Sequence, residues 1–262
     1  MTIIKHELKR NSKTLFIWSI LLGGGIFLFM LLYPSLKESL AQMADSYANM
    51  GSFTEAFGMN KIGMDNAMGF YGIEAGAMLS IGGTMFAAII GIGILAKEEG
   101  QHSAEFLLTH PVSRKRIVTE KLIFSILQIL FLNLICFGLA SLSFVIISEP
   151  IIWKDLILYH TAQLIMQLEI GAVCFALSAF MKKNNMGLGI GIAILLYFMN
   201  IFINTSDKVN FLKYITPFQY SDAAEIFSTG HLDWVLIGIG MIVSVVSIFI
   251  AYIYYIKKDI AS

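Results

Sequence analysis

Apolar residues gather in six runs, at residues 14–33, 75–96, 122–147, 156–180, 186–204 and 234–256. About 20 helical residues cross a hydrocarbon core of about 30 Å. Each run is therefore long enough to span a bilayer, and the pattern predicts an all-α, polytopic membrane protein forming one transmembrane domain over residues 1–262. The polar pieces between the runs are uneven in length. Two are tight turns, Ser148-Glu149-Pro150 and Lys182-Lys183-Asn184-Asn185, and the second forces the helices on either side of it to be antiparallel neighbours.

The longer pieces carry patterns of their own. In Met1 to Lys13, Ile3, Ile4 and Leu8 are set among Lys5, His6, Glu7, Lys9 and Arg10. That spacing predicts a short amphipathic helix in the headgroup region, the alternative being a plain basic flank to the first span. Pro34 to Glu74 reads as a long Gly/Met-rich connection with a short surface helix marked by Leu36, Leu40 and Met43. Its methionines are either adaptable contacts or gap fillers. Thr205 to Asp233 holds Tyr214-Ile215-Thr216-Pro217-Phe218-Gln219-Tyr220, too polar to span. The expectation there is a short element dipping partway into the membrane, its backbone shielded by protein.

Small residues predict where helices approach closely. Gly23-Gly24-Gly25 interrupts the first run and reads as a packing seam rather than a break. Gly83, Ala87 and Gly91 recur every four residues on the second run, and Gly187 and Gly191 repeat the interval on the fifth.

Composition narrows the class. Of 262 residues, 57% are hydrophobic and only 14% charged, with a mean hydropathy of +0.75, against about 25% charged in a soluble domain. Net charge is zero, which offers no nucleic-acid reading. Cys136 and Cys174 lie inside apolar runs and follow no metal or redox spacing, and no small-residue cleavage site follows the first run. The position of the basic residues matters more than their sum. With the amino terminus inside, thirteen lysines and arginines fall on the cytoplasmic segments and five on the outer ones, so both termini are expected in the cytoplasm and the protein in the cell membrane.

The longest charged interruption, Lys97 to Lys121, then lies on the cytoplasmic side. Ser103 is placed to cap a short helix, Glu105 sits near its positive end, and Phe106, Leu107 and Leu108 give it an apolar edge before Pro111. Arg114, Lys115 and Arg116 start the next helix unfavourably and call for an anionic neighbour, with lipid headgroups as the default and contact with a separate cytoplasmic partner as the sharper option. Glu98-Glu99-Gly100, Ala104-Glu105-Phe106-Leu107-Leu108, Pro111-Val112-Ser113-Arg114 and Lys121 together resemble the coupling loop of type-2 ABC exporter permeases. Gly100 stands five residues before Glu105, where many members have three.

The resemblance implies that Phe106, Leu107 and Leu108 are buried contacts with a separate cytoplasmic ATPase, with Glu98, Glu99 and Glu105 as a charged rim and Pro111 and Arg114 completing the motif. It implies ATP and Mg on that partner and no cofactor on this chain, two permease halves with two ATPase halves, and a re-entrant outer element before the sixth span. The residues alone leave a second reading of the loop, an amphipathic helix resting on headgroups. The chain has no Gly-Lys dipeptide, hence no P-loop, and no H-E-x-x-H, G-x-S-x-G or C-x-x-C. No catalytic or metal-ligating residue is assigned.

A few polar groups fall inside the runs. Glu169 is the clearest, since a charge at mid-span costs about 3 kcal/mol on insertion scales. Gln163 and Gln167 lie one turn apart on the same helix, with Glu169 pointing to a different side, and Gln128, Asn133 and Asn200 lie on neighbouring runs. They are candidates to line a translocation path, or else they hydrogen-bond between helices. The leading expectation is the membrane subunit of an ATP-driven exporter, moving a hydrophobic or amphipathic peptide, drug or lipid outward by alternating access. A non-transporting sensor or immunity subunit on the same fold is the alternative. A membrane-embedded enzyme is less favoured, because it needs converging acidic groups or histidines within the runs.

Overall fold

Among the described residues, six helices are long and apolar enough to cross a membrane: Ile3–Gln42, Ala67–Gly93, Arg114–Ile146, Trp153–Phe180, Met186–Thr205 and Trp234–Lys257. They are referred to below as the first to sixth spans. The computed structural model describes residues 2–48, 51–97 and 113–258, and among these there is no strand. The six runs read from the sequence correspond one to one with these helices. The chain is a multi-pass membrane protein.

The fourth span is the centre of the bundle, packed along both the second and the sixth. Its most apolar window is 67% buried, against 17% for the fifth span and 22% for the sixth. Those two, and the first, turn leucines, isoleucines, valines and phenylalanines outward. An oily face of that extent matches lipid.

The first span differs from expectation at both ends. No break separates the amino-terminal segment from it: Thr2–Trp18, a π-helical turn at Ser19–Gly24 and Gly25–Ala48 run on as one rod. Pro34 does not stop it. A proline removes one hydrogen bond and crowds the turn before it, but Pro34 is exposed and Ser35 to Gln42, Ser-Leu-Lys-Glu-Ser-Leu-Ala-Gln, is rich in good helix formers. Lys37, one turn further, is tied to Glu149 at 2.6 Å. The expected connection is shorter accordingly, and the second span starts at Ala67, capped by the Asn66 side chain, rather than at Ala75.

Glycines set the close approaches. The seam expected at Gly23-Gly24-Gly25 is present: a Cβ on Gly23 would lie 2.7 Å from Leu139 on the third span, and one on Gly25 2.6 Å from Met78 on the second. On the second span, a Cβ at Gly91 would come within 2.5 Å of the Gly171 carbonyl of the fourth, and one at Gly83 would overlap the Gln167 side chain. Ala87 is fully buried, near Gly171. The fifth span behaves otherwise than its spacing suggested. A Cβ on Gly191 would meet nothing within 4 Å and one on Gly187 only its own cap at Asn185, whereas Gly189 is the residue that abuts the second span at Ala88. A four-residue interval defines a face but not which side of it meets a neighbour.

Between the fifth and sixth spans the chain forms a 3-10 segment, Asp207–Tyr214, a second short one, Gln219–Ser221, and the helix Ala223–Thr229. Asp222 caps that helix and Gly230, at φ 67°, ends it. This connection folds back among the helices. Thr216 donates to the carbonyl of Leu196, nine residues before the end of the fifth span, which is about 14 Å along its axis.

Candidate functional site

The loop whose sequence carried most of the functional argument has two roots, Lys97 where it leaves the second span and Ser113 where it enters the third. Glu98, Glu99, Glu105, Phe106, Leu107, Leu108 and Pro111 lie outside the described residues, as does the short helix expected from Ser103. The roots themselves are gripped from several sides.

Helix ends explain the grip. The first turn of a helix leaves N–H groups without partners and the last turn leaves carbonyls, so the two ends attract opposite charges. The foot of the third span supplies both. Glu120 Oε2 accepts from the backbone N–H of Ile3 and Ile4, at 3.1 and 3.3 Å, at the start of the first span. Lys121 Nζ donates to the carbonyl of Ile94, at 2.5 Å, just past the end of the second. Arg114 donates to the carbonyls of Ile256, at 3.3 Å, and Lys258, at the end of the sixth. The fourth span joins through two contacts: Ser178 Oγ accepts from the N–H of Leu95 and Ala96, and Lys258 Nζ donates to Met181 O. Residues within two turns of the loop's exit thus hold the ends of three other helices.

A carboxylate from the first span completes the arrangement. Glu7 is 2% exposed, and its Oε2 meets Lys97 Nζ at 2.5 Å. Its Oε1 lies 4.0 Å from Lys121 Nζ and 3.7 Å from Arg10, and Asn11 donates to Oε2 at 3.0 Å. Lys121 is fully buried. Burial draws the Lys97 amine down to about 8, with Glu7 opposing that fall and Lys121 adding to it. Of the basic start of the third helix, Arg116 finds an anionic neighbour within the protein, its Nε 2.7 Å from Glu120 Oε1.

Sequence reasoning did not single out Glu7, Lys97, Glu120 or Lys121 as a group. One signal was available. Glu7 shares the helical face of Ile3, Ile4 and Leu8, and the structure turns Ile3 and Leu8 inward while Lys5, His6, Lys9 and Arg10 stay exposed. A carboxylate in the apolar stripe of a basic helix needs a cation opposite it.

The polar groups within the spans fall into a second set. Asn133 donates to Gln167 Oε1 at 2.7 Å, and Gln167 reaches back to Leu79 O at 3.5 Å. Gln163 donates to Ser221 O at 2.9 Å. Asn200 and Asn204 both donate to Asp222, at 3.3 and 3.1 Å. Glu169 accepts from Tyr220 at 2.8 Å. Three of these partners, Tyr220, Ser221 and Asp222, belong to the connection that folds back between the fifth and sixth spans. Gln128 is fully buried, with neither side-chain polar atom partnered among the described residues. Sequence reasoning also missed Glu74, which lies within the second span, and the buried contact of Tyr71 Oη with His160 Nε2 at 2.7 Å.

A cavity of about 70 Å³ sits above this set, lined in part by Tyr159, Tyr197, Asn200 and Asp222. It is large enough for water but not for a drug-sized molecule. Among the described residues no cluster of His, Cys, Asp or Glu is arranged to hold a metal ion.

Comparison with known proteins adds one match. The family model described as ABC-2 family transporter protein matches residues 1–260. No curated protein and no solved structure matches the chain.

Proposed function

Given that the chain belongs to the ABC-2 family of transporter membrane proteins, we propose that it exports a hydrophobic or amphipathic substrate by alternating access, driven by ATP hydrolysis on a separate subunit. Permeases of this family are the membrane component of a transporter and generally work with an ATPase subunit. The loop at 98–111 is the seat of that subunit, with Phe106, Leu107 and Leu108 entering its groove and Glu98, Glu99 and Glu105 at the rim. The complex holds two permease chains and two ATPase chains, with both termini and the loop in the cytoplasm.

The foot of the third span is the observation that supports this reading. A push on the loop can do mechanical work only if its roots do not give, and here the roots are fastened to the first, second, fourth and sixth spans. In this reading Asn133, Gln163, Gln167, Asn200 and Glu169 hold the folded-back connection in place. Gln128, which meets no partner among the described residues, is the candidate left for the route.

Co-expression with the ATPase subunit of its transporter tests the seat. Leu107→Asp together with Leu108→Asp is expected to abolish co-purification while the permease still elutes as a folded species. Unchanged co-purification would remove the loop as the seat.

A further inference from the structure

We infer that the amino-terminal helix is part of the force-transmitting apparatus, held to the loop by a reciprocal lock in which Glu7 and Glu120 each reach across to the other's helix. The inference rests on the proposed function and goes beyond it, because residues 2–18 lie far from the loop in sequence and the seat at 98–111 does not require them.

The geometry is that of a two-way fastening. Glu120, on the third span, takes the free N–H groups at the start of the first span. Glu7, on the first span, takes Lys97 at the loop's entry and faces Lys121 beside its exit. An anchor that only held the helix to headgroups would turn its charged residues outward, as Lys5, His6, Lys9 and Arg10 are turned. Glu7 is instead buried against the root at Lys97 and against Lys121, about two turns into the third span. Displacing the roots without moving the first helix would strip Lys97 and Lys121 of their shared carboxylate inside protein, which is costly. The first helix therefore moves with the roots. Because it continues unbroken into the first span, the movement reaches the far end of the bundle. Glu7 and Glu120 act through other groups and are positioning residues.

The test uses the permease–ATPase complex reconstituted in liposomes and reads the permease-dependent change in ATP turnover, alongside co-purification and the melting temperature of the complex. Glu7→Gln is expected to keep the ATPase bound and to reduce the permease-dependent change about fivefold or more, the lower range of a coupling between sites. Lys97→Gln is expected to reproduce that loss, and Glu7→Gln together with Lys97→Gln to lose little more than either alone, because the two residues share one contact. Should Glu7→Gln fold poorly, Lys97→Gln and Glu120→Gln carry the test. Wild-type turnover in a folded Glu7→Gln or Glu120→Gln complex would overturn the inference. So would a folded, ATPase-bound double variant whose loss is the product of the two single losses. Failure of the wild-type permease to bind any ATPase would instead sink the proposed function.

Discussion

The hydroxyl of Tyr220 donates to Glu169 Oε2 at 2.8 Å, and the same oxygen occupies the space that a Cβ on Gly240 would need. One carboxyl of the central helix is thus enclosed by the folded-back connection on one side and by the bare backbone of the sixth span on the other. Glu169 is sixteen residues into the fourth span, about 24 Å along its axis. Tyr220 reaches it because the connection descends that far.

Tyr220→Phe removes the donor and leaves the buried group facing carbon. The expected loss is about 1–3 kcal/mol of unfolding free energy in detergent, the usual cost of stranding a buried polar atom. Gly240→Ala is expected to weaken the same contact by pushing the carboxyl aside. In the Tyr220→Phe background, its additional cost should be smaller than in wild type, because the hydrogen bond is already gone.

Close packing predicts a contrast between two glycines of similar sequence setting. Gly91→Ala would drive a methyl into the Gly171 carbonyl and is expected to destabilise by about 1–3 kcal/mol. Gly191→Ala meets open space and is expected to stay within about 0.5 kcal/mol of wild type. Thermal melts of the two purified variants would separate them.

Lys97 gives a pH signature. Its amine titrates near 8 in the folded protein and near 10.5 in a free lysine, burial being the main cause and Glu7 a partial offset. Between those values the unfolded chain binds more protons than the folded one, so this group adds stability as pH rises through the window. Unfolding free energy measured from pH 7.5 to 10 should rise in wild type relative to Lys97→Met. A flat difference would argue against a buried, charged Lys97.

Arg114 ties the loop's exit to the last turn of the sixth span. Arg114→Gln is expected to loosen that end, seen as faster hydrogen exchange at the amides of residues 253–258 with little change near Thr84. The lost charge-assisted bonds are each worth about 1.5–3 kcal/mol at most in a protected setting.

The six helices were legible because each run of apolar residues is long, and length is what a bilayer demands of a helix. The fifth span, expected at 186–204, is found at Met186–Thr205. Boundaries failed where a local rule was outweighed by context. Pro34 read as a stop, yet the helix continues past it because residues 35–42 favour helix and Lys37 finds Glu149. Arg114 to Arg116 read as wanting an anionic neighbour, and for Arg116 that neighbour is Glu120, one turn on, which the local sequence did not single out. Glu7 read as one more polar residue of an interface helix, because nothing within thirteen residues announces that its cations are Lys97 and Lys121, some ninety and more positions away. Charge pairing across that distance is a property of the packed bundle.

The third and fifth spans also differ in how they meet the bilayer. The apolar run of the third, residues 122–147, is about 39 Å long and that of the fifth, residues 186–204, about 29 Å. In lipids of longer or shorter chain, the third has surplus apolar length on which to tilt, whereas the fifth has no reserve and must thin the membrane around it. Sensitivity to acyl-chain length should therefore enter this protein through its fifth crossing more than through its third.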